Sequence, residues 1–288
     1  MEETYRMEET YVPRRRRRRR RRRLGCAPVL LLCLAAAVIT GVCLHISPLK
    51  EKLDHVHSWQ GHTDTLPDTE FGRTVTAFAA SHSLTGQDWP EELLELGEKN
   101  SEMEEFILNY PLKKDDRPRI DLSDLKDSPT VPLLMQWDER WGYSEYSGGL
   151  LGLSGCGPTC LSMVSIYLLN DPGYDPRTVA EFSMDNGYSV KGNGSAWTLI
   201  SEGGPQLGLD VIEIPLDRDR IFRNLEVGNP IICIMGPGDF TSTGHYIVLT
   251  GVEDGKLRVN DPNSRERSEQ LWDYDAIQSQ IRNLWVCR

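Results

Sequence analysis

Beyond residue 50 the chain is short of positive charge. Residues 1–50 hold 12 of the 32 basic residues and 4 of the 43 acidic ones, which leaves 20 against 39. An outer part with a net charge of about −19 will not bind nucleic acid by electrostatics, nor adhere to anionic membrane. Histidine is scarcer still. The chain has six, and from Val131 to Arg288 there is one, His245. A general base of near-neutral pKa in that stretch has no other imidazole to draw on. His55, His57 and His62 fall in a segment with little scaffold to bring further donors, so no metal or cofactor is expected.

The N-terminal third is built differently. Residues 1–23 end in an uninterrupted run, Arg14 to Arg23. Leu24 to Ile46 follows, 23 residues without Asp, Glu, Lys or Arg, where about 20 suffice to cross a bilayer as a helix. Arginines before it and acids after it orient the N-terminus to the cytoplasm. The apolar run is longer than a cleaved signal's and ends without a small-x-small site. The expectation is therefore an uncleaved signal anchor over 24–46, in the cell membrane, with a cytoplasmic tail (1–23) and an extracellular C-terminal part. The arginine run reads as a topology signal that can also hold anionic headgroups, not as a nucleic-acid site. Residues 47–87, dominated by Asp, Thr, Ser, Gly and His, read as a solvated stem.

From 88 the pattern turns globular, with a helical lead-in (88–130) and a core (131–288). Pro90 to Leu96 starts a helix with proline and acids in its first turn. Glu102 to Leu108 reads as a second, ending at Tyr110-Pro111. In the core, helices are expected over 175–186, 195–206, 218–227 and 274–281. Strands are expected over 210–214, 231–235, 246–251, 257–260 and 284–287, with Glu253-Asp254-Gly255-Lys256 as a hairpin turn. Helices first and strands late argue α+β with an antiparallel sheet.

The chain is organised around Gly155-Cys156-Gly157-Pro158-Thr159. Leu161, Val164, Tyr167 and Leu168 recur at helical spacing, and Asn170-Asp171-Pro172-Gly173 is a stop. Cys156 thus falls at a helix N-terminus, where unpaired N–H groups and the positive dipole end favour a thiolate. The alternative is a buried structural cysteine beside two turn glycines. Cys160 lies one turn on, too far in Cβ separation for an unstrained bridge to Cys156, and reads as a core residue. Cys233 and Cys287 fall in strands and could bridge in an oxidising compartment. Across the predicted hairpin from His245 comes Asn260-Asp261-Pro262. Either an amide or a carboxylate there could hold the imidazole, and the two point to opposite faces. Gln136, in Gln136-x-x-x-Arg140-Trp141, could supply a side-chain N–H to an oxyanion hole with the Cys156 backbone N–H.

Taken together, these motifs resemble cysteine-peptidase family 39, whose known members remove double-glycine leaders from bacteriocins. The stand-alone, surface-attached branch is the nearer likeness, and the similarity spans about Trp89 to Arg288. The resemblance implies a papain-like fold with a central helix. It implies Cys156 as nucleophile, His245 as base and acid, Asp261 as orienter and Gln136 as oxyanion donor, acting on a peptide or protein substrate. Two departures stand out. Twenty residues separate Gln136 from Cys156, with a Gly/Ser-rich loop from Tyr143 to Ser154 between them. No ATP-binding or multi-span transport region accompanies the motifs, so only the peptidase part is expected. A catalytically silent papain-like binding module, or a cell-wall amidase or endopeptidase, are the competing readings.

Overall fold

The computed structural model describes residues 66–288. The tail, the anchor and the first part of the stem lie outside the described residues. Among the described residues no helix is long and apolar enough to cross a membrane.

Among the described residues, ten strands form three sheets: β1 (Glu145–Tyr146), β2 (Gly149–Leu150), β3 (Ser189–Val190), β4 (Gly194–Ser195), β5 (Val211–Glu213), β6 (Ile231–Met235), β7 (His245–Glu253), β8 (Lys256–Asn260), β9 (Leu271–Trp272) and β10 (Ile281–Cys287). The main sheet is six-stranded, in the order β5-β10-β6-β7-β8-β9, with every neighbouring pair antiparallel. Two small hairpins, β1–β2 and β3–β4, lie apart from it.

Both faces of the sheet centre are covered, which explains the unbroken apolar run of β6. Ile232 and Ile234, with Tyr246 and Val248, face the central helix (Cys156–Leu169) through Cys160, Leu161, Met163 and Val164. Ile231, Cys233 and Met235, with Ile247 and Leu249, face the helix Arg218–Glu226 through Ile221, Phe222 and Leu225. A strand buried on both sides reads as continuous apolar residues, not as alternation. The α+β expectation with a central helix and an antiparallel sheet agrees with this mixed architecture. The helix read over 195–206 is shorter, because Gly194–Ser195 pairs in a hairpin and helical turns begin only at Leu199. The last strand starts earlier, at Ile281 instead of Leu284.

The lead-in has its own core. Trp89, Leu93, Leu94, Met103, Phe106 and Ile107 pack with Met135, Trp137 and Tyr143. Two expectations are corrected here. The helix from Glu104 runs through Pro111 to Lys113. Proline cannot donate to the carbonyl four residues back, but that carbonyl, Ile107 O, accepts from the Trp89 indole at 2.6 Å, so nothing buried is orphaned. The stem reading also fails over its described end, where residues 70–82 form a helix capped by Thr69. Phe71, Val75 and Ala79, four residues apart, are buried in the lead-in core. Phe71 lies against Gly97, where a Cβ would stand 2.2 Å from its ring.

Candidate active site

Cys156 opens the central helix, as its motif predicts, and is half-buried. Gly155 and Gly157 serve by leaving space, since neither has positive φ. A Cβ on Gly155 would lie 2.4 Å from Leu151 O, and one on Gly157 would lie 2.4 Å from Ser195 Oγ. Packing against the hairpins therefore requires both glycines beside the thiol.

His245 is the first residue of β7, and Asp261 follows directly on β8. Hydrogen bonding settles the choice between Asn260 and Asp261. Asn260 pairs with Val248 and shares the face of the central helix. Its amide donates to Val131 O at 3.1 Å and Pro132 O at 3.0 Å. Asp261, one residue on, lies just past the end of β8 and turns its side chain to His245. Its Oδ1 accepts from His245 Nε2 at 2.7 Å. The imidazole's remaining nitrogen, Nδ1, is left for Cys156, which lines the same cleft as His245. Imidazole and fully buried carboxylate form one hydrogen-bonded pair facing the cleft that Cys156 lines.

The electrostatics follow from these contacts. Burial pushes the Cys156 thiol up. The hydrogen bond from His245, its charge, and the backbone N–H groups of Tyr246 and Gly157 outweigh that and hold it below the ordinary thiol value. Burial opposes charge on His245 too, but Asp261 and the thiolate raise it to about 10. Asp261, despite burial, is held below the usual carboxylate range by His245 and by Arg267. Both shifts favour a thiolate–imidazolium pair. Cys160, on the same helix, is pushed well up, first by burial and then by the neighbouring thiolate. It is fully buried and inert, and Cys233 and Cys287 are free, buried thiols pushed up by burial, Cys287 to about 12.

Gln136 also reaches the cleft, and the long gap to Cys156 is absorbed by β1–β2 and a short helix, Leu151–Ser154, that fold the chain back. Its Nε2 donates to Gly152 O at 2.9 Å, and its backbone N–H donates to Pro262 O at 2.8 Å. Gln136 is thereby tied to both the nucleophile's approach and the carboxylate's loop.

Sequence reasoning missed the residues that hold Asp261. Arg267 Nε donates to Oδ2 at 2.6 Å, the Asn263 N–H to Oδ1 at 2.8 Å, and Ser268 Oγ accepts from the Asp261 N–H at 2.9 Å. From the lead-in, Glu102 accepts from Ser264 Oγ at 2.6 Å and from the Arg265 N–H at 2.7 Å. One signal was available: Ser264 caps a short helix, Arg265–Glu269, and a serine three residues ahead of Arg267 is a helix-start pattern. Among the described residues, no group of three or more His, Cys, Asp or Glu could hold a metal ion.

A thiol at a helix start, in one cleft with an imidazole held by a buried carboxylate, is an arrangement that can support thiol-dependent acyl transfer. The chain belongs to the Peptidase_C39 like family, whose model matches residues 129–287. That membership points to a cysteine-peptidase domain. Among solved structures, it is similar to the peptidase domain of Streptococcus ComA, a bi-functional ABC transporter involved in quorum sensing. That likeness has 20% identity and a TM-score of 0.40, covering 54% of this chain and 96% of that one. It is also similar to a C39-like peptidase from Bacillus anthracis, at 17% identity and a TM-score of 0.33, covering 59% and 98%. No curated protein matches the chain.

Proposed function

We propose that the chain is a papain-like cysteine peptidase, anchored in the cell membrane through residues 24–46 with its catalytic domain outside the cell. The observation that carries the reading is Cys156 at a helix start lining one cleft with His245, whose Nε2 is held by the buried Asp261. The Cys156 thiolate attacks the carbonyl carbon of a peptide bond. Negative charge moves to the carbonyl oxygen, where the Cys156 backbone N–H and the second Nε2 hydrogen of Gln136 receive it. The C–N bond then breaks, and the leaving amine takes the proton of the His245 imidazolium. Water attacks the resulting thioester, His245 takes its proton, and the carboxylic acid leaves as the thiolate returns. Asp261 holds the ring and balances the imidazolium. Residues 24–46 supply the apolar length and flanking charge for the anchor. The substrate is a peptide of double-glycine type or another cell-surface peptide.

The test is labelling of the full chain by a thiol-reactive peptide probe. Cys156→Ala should abolish labelling and Cys160→Ala should leave it, because the one thiol is depressed and half-open and the other raised and closed. Labelling that survives Cys156→Ala and vanishes in Cys160→Ala would overturn the assignment.

A further inference from the structure

The cleft at Cys156, about 660 Å³ in volume, is lined by small polar groups, by Trp197, Met235 and Phe240, and by one permanently charged side chain, Arg282. No Asp or Glu lines it. Elsewhere Arg73, Arg140, Arg258 and Arg288 each pair with Asp or Glu. Among the described residues Arg282 has no ion pair. Glu213 borders the neighbouring hollow without pairing to it. One of its guanidinium N–H groups donates to Ser279 O at 2.9 Å, and a guanidinium carries five.

Two backbone features aim this side chain into the cleft. Arg282 sits at a bulge: Ile281 pairs with Met235 and Asn283 with Ile234, so Arg282 is the extra residue. Bulges re-aim a side chain and recur beside active sites. The guanidinium then lies along the backbone of Gly236, where a Cβ would stand 2.4 Å from Nε and 2.6 Å from Cζ. A side chain at this position would force the guanidinium to shift. Ile281, Met235 and His245 lie in one row across three strands. At about 4.8 Å per strand, the start of β10 is roughly 10 Å from His245, or about two to four residues of extended peptide.

We infer that Arg282 is a specificity residue which binds a substrate carboxylate roughly two to four residues from the scissile bond. The inference rests on the peptidase reading and narrows its substrate class to peptides that present an Asp or Glu side chain, or a free C-terminus, at that distance. The guanidinium's fork matches a carboxylate with two parallel hydrogen bonds, which an amide cannot match in charge.

The experiment compares the full chain with its Arg282→Gln and Arg282→Glu variants on a peptide library. The library holds matched Glu/Gln and Asp/Asn pairs, Lys and Arg at the same positions, and free or amidated C-termini. Each preference is read as a ratio within one protein, so partial loss of folded enzyme cancels. For the wild type, kcat/KM should favour acid over amide about tenfold at one position, as a hydrogen bond to a charged group predicts. Arg282→Gln should bring the ratio near one, and Arg282→Glu should move it to Lys or Arg. A side-chain preference assigns the carboxylate to Asp or Glu, and a preference for the free terminus assigns it to the chain end. Cleavage without acid preference, or a preference that survives Arg282→Glu, overturns the inference while the peptidase reading stands. If nothing is cleaved, Cys156 is challenged with electrophilic peptides bearing Glu or Gln. Faster labelling by the Glu probe, lost in Arg282→Gln, supports the inference, equal rates overturn it, and no labelling by either overturns both readings.

Discussion

The nucleophile and the carboxylate are held in contrasting ways. Cys156 is placed almost wholly by backbone. It begins a helix with no side-chain cap, between two glycines whose missing Cβ atoms make room for Leu151 and Ser195. Asp261 is placed by side chains from distant segments: His245 from β7, Arg267 and Ser268 from the helix beyond, and, one layer out, Glu102 from the lead-in. A helix start supplies donors and dipole to a sulfur by its geometry alone. A fully buried carboxylate has no such default, and must collect charged and N–H partners before burial is tolerable. The difference teaches that the thiol's placement is a local motif and the buried acid's a tertiary construction.

Three substitutions sharpen or break that contrast. The largest expected effect is Asp261→Asn, at about 10⁴-fold in kcat by analogy with loss of an orienting aspartate. Its pH profile carries the sign. Asp261 raises the His245 pKa to about 10, and the imidazolium is the proton donor, so rate falls as pH rises through that value. Removing the carboxylate should move the alkaline limb to lower pH, and a limb that stays put would show that Asp261 does not set the imidazole's charge. The acid limb should track the depressed Cys156 thiol and be less affected.

Gln136→Ala comes next, with an expected loss of about 100- to 1000-fold in kcat and little change in KM if its second N–H meets the oxyanion. Unchanged steady-state rates with a lower Tm would make Gln136 a latch between Gly152 and Pro262 and nothing more. Arg267→Gln is expected to cost least, about 10- to 100-fold, the worth of a hydrogen bond to a charged group. Arg267 touches no reacting atom. It acts by positioning Asp261, so Arg267→Lys should recover part of the rate by restoring charge without the fork. A variant as fast as wild type would mean that the remaining partners of Asp261 suffice.

Much of the core was legible because its signals are local. Gly155-Cys156-Gly157-Pro158 and the apolar spacing to Leu168 predicted the central helix, and Glu253-Asp254-Gly255-Lys256 predicted the hairpin that joins His245's strand to Asp261's. What escaped depended on contacts remote in sequence. The helix through Pro111 survives because the indole of Trp89 takes the carbonyl that proline leaves unpaired. Phe71, Val75 and Ala79 fall in what reads as a solvated stem until the lead-in core receives them. Arg267 is one arginine among many until Ser264 starts the turn that brings it back to Asp261.

By itself, then, the chain determined which residue types were available: a cysteine at a helix start, a single imidazole in the core, and an amide or an acid beyond the hairpin. Those follow from local backbone preferences and composition, which act over a few residues. Tertiary structure alone decided between Asn260 and Asp261, because β8 ends between them and the residue just past its end turns its side chain to His245. It also decided that Arg282 faces the cleft, since a bulge and a glycine on the neighbouring strand, 46 positions away in the sequence, together set its direction.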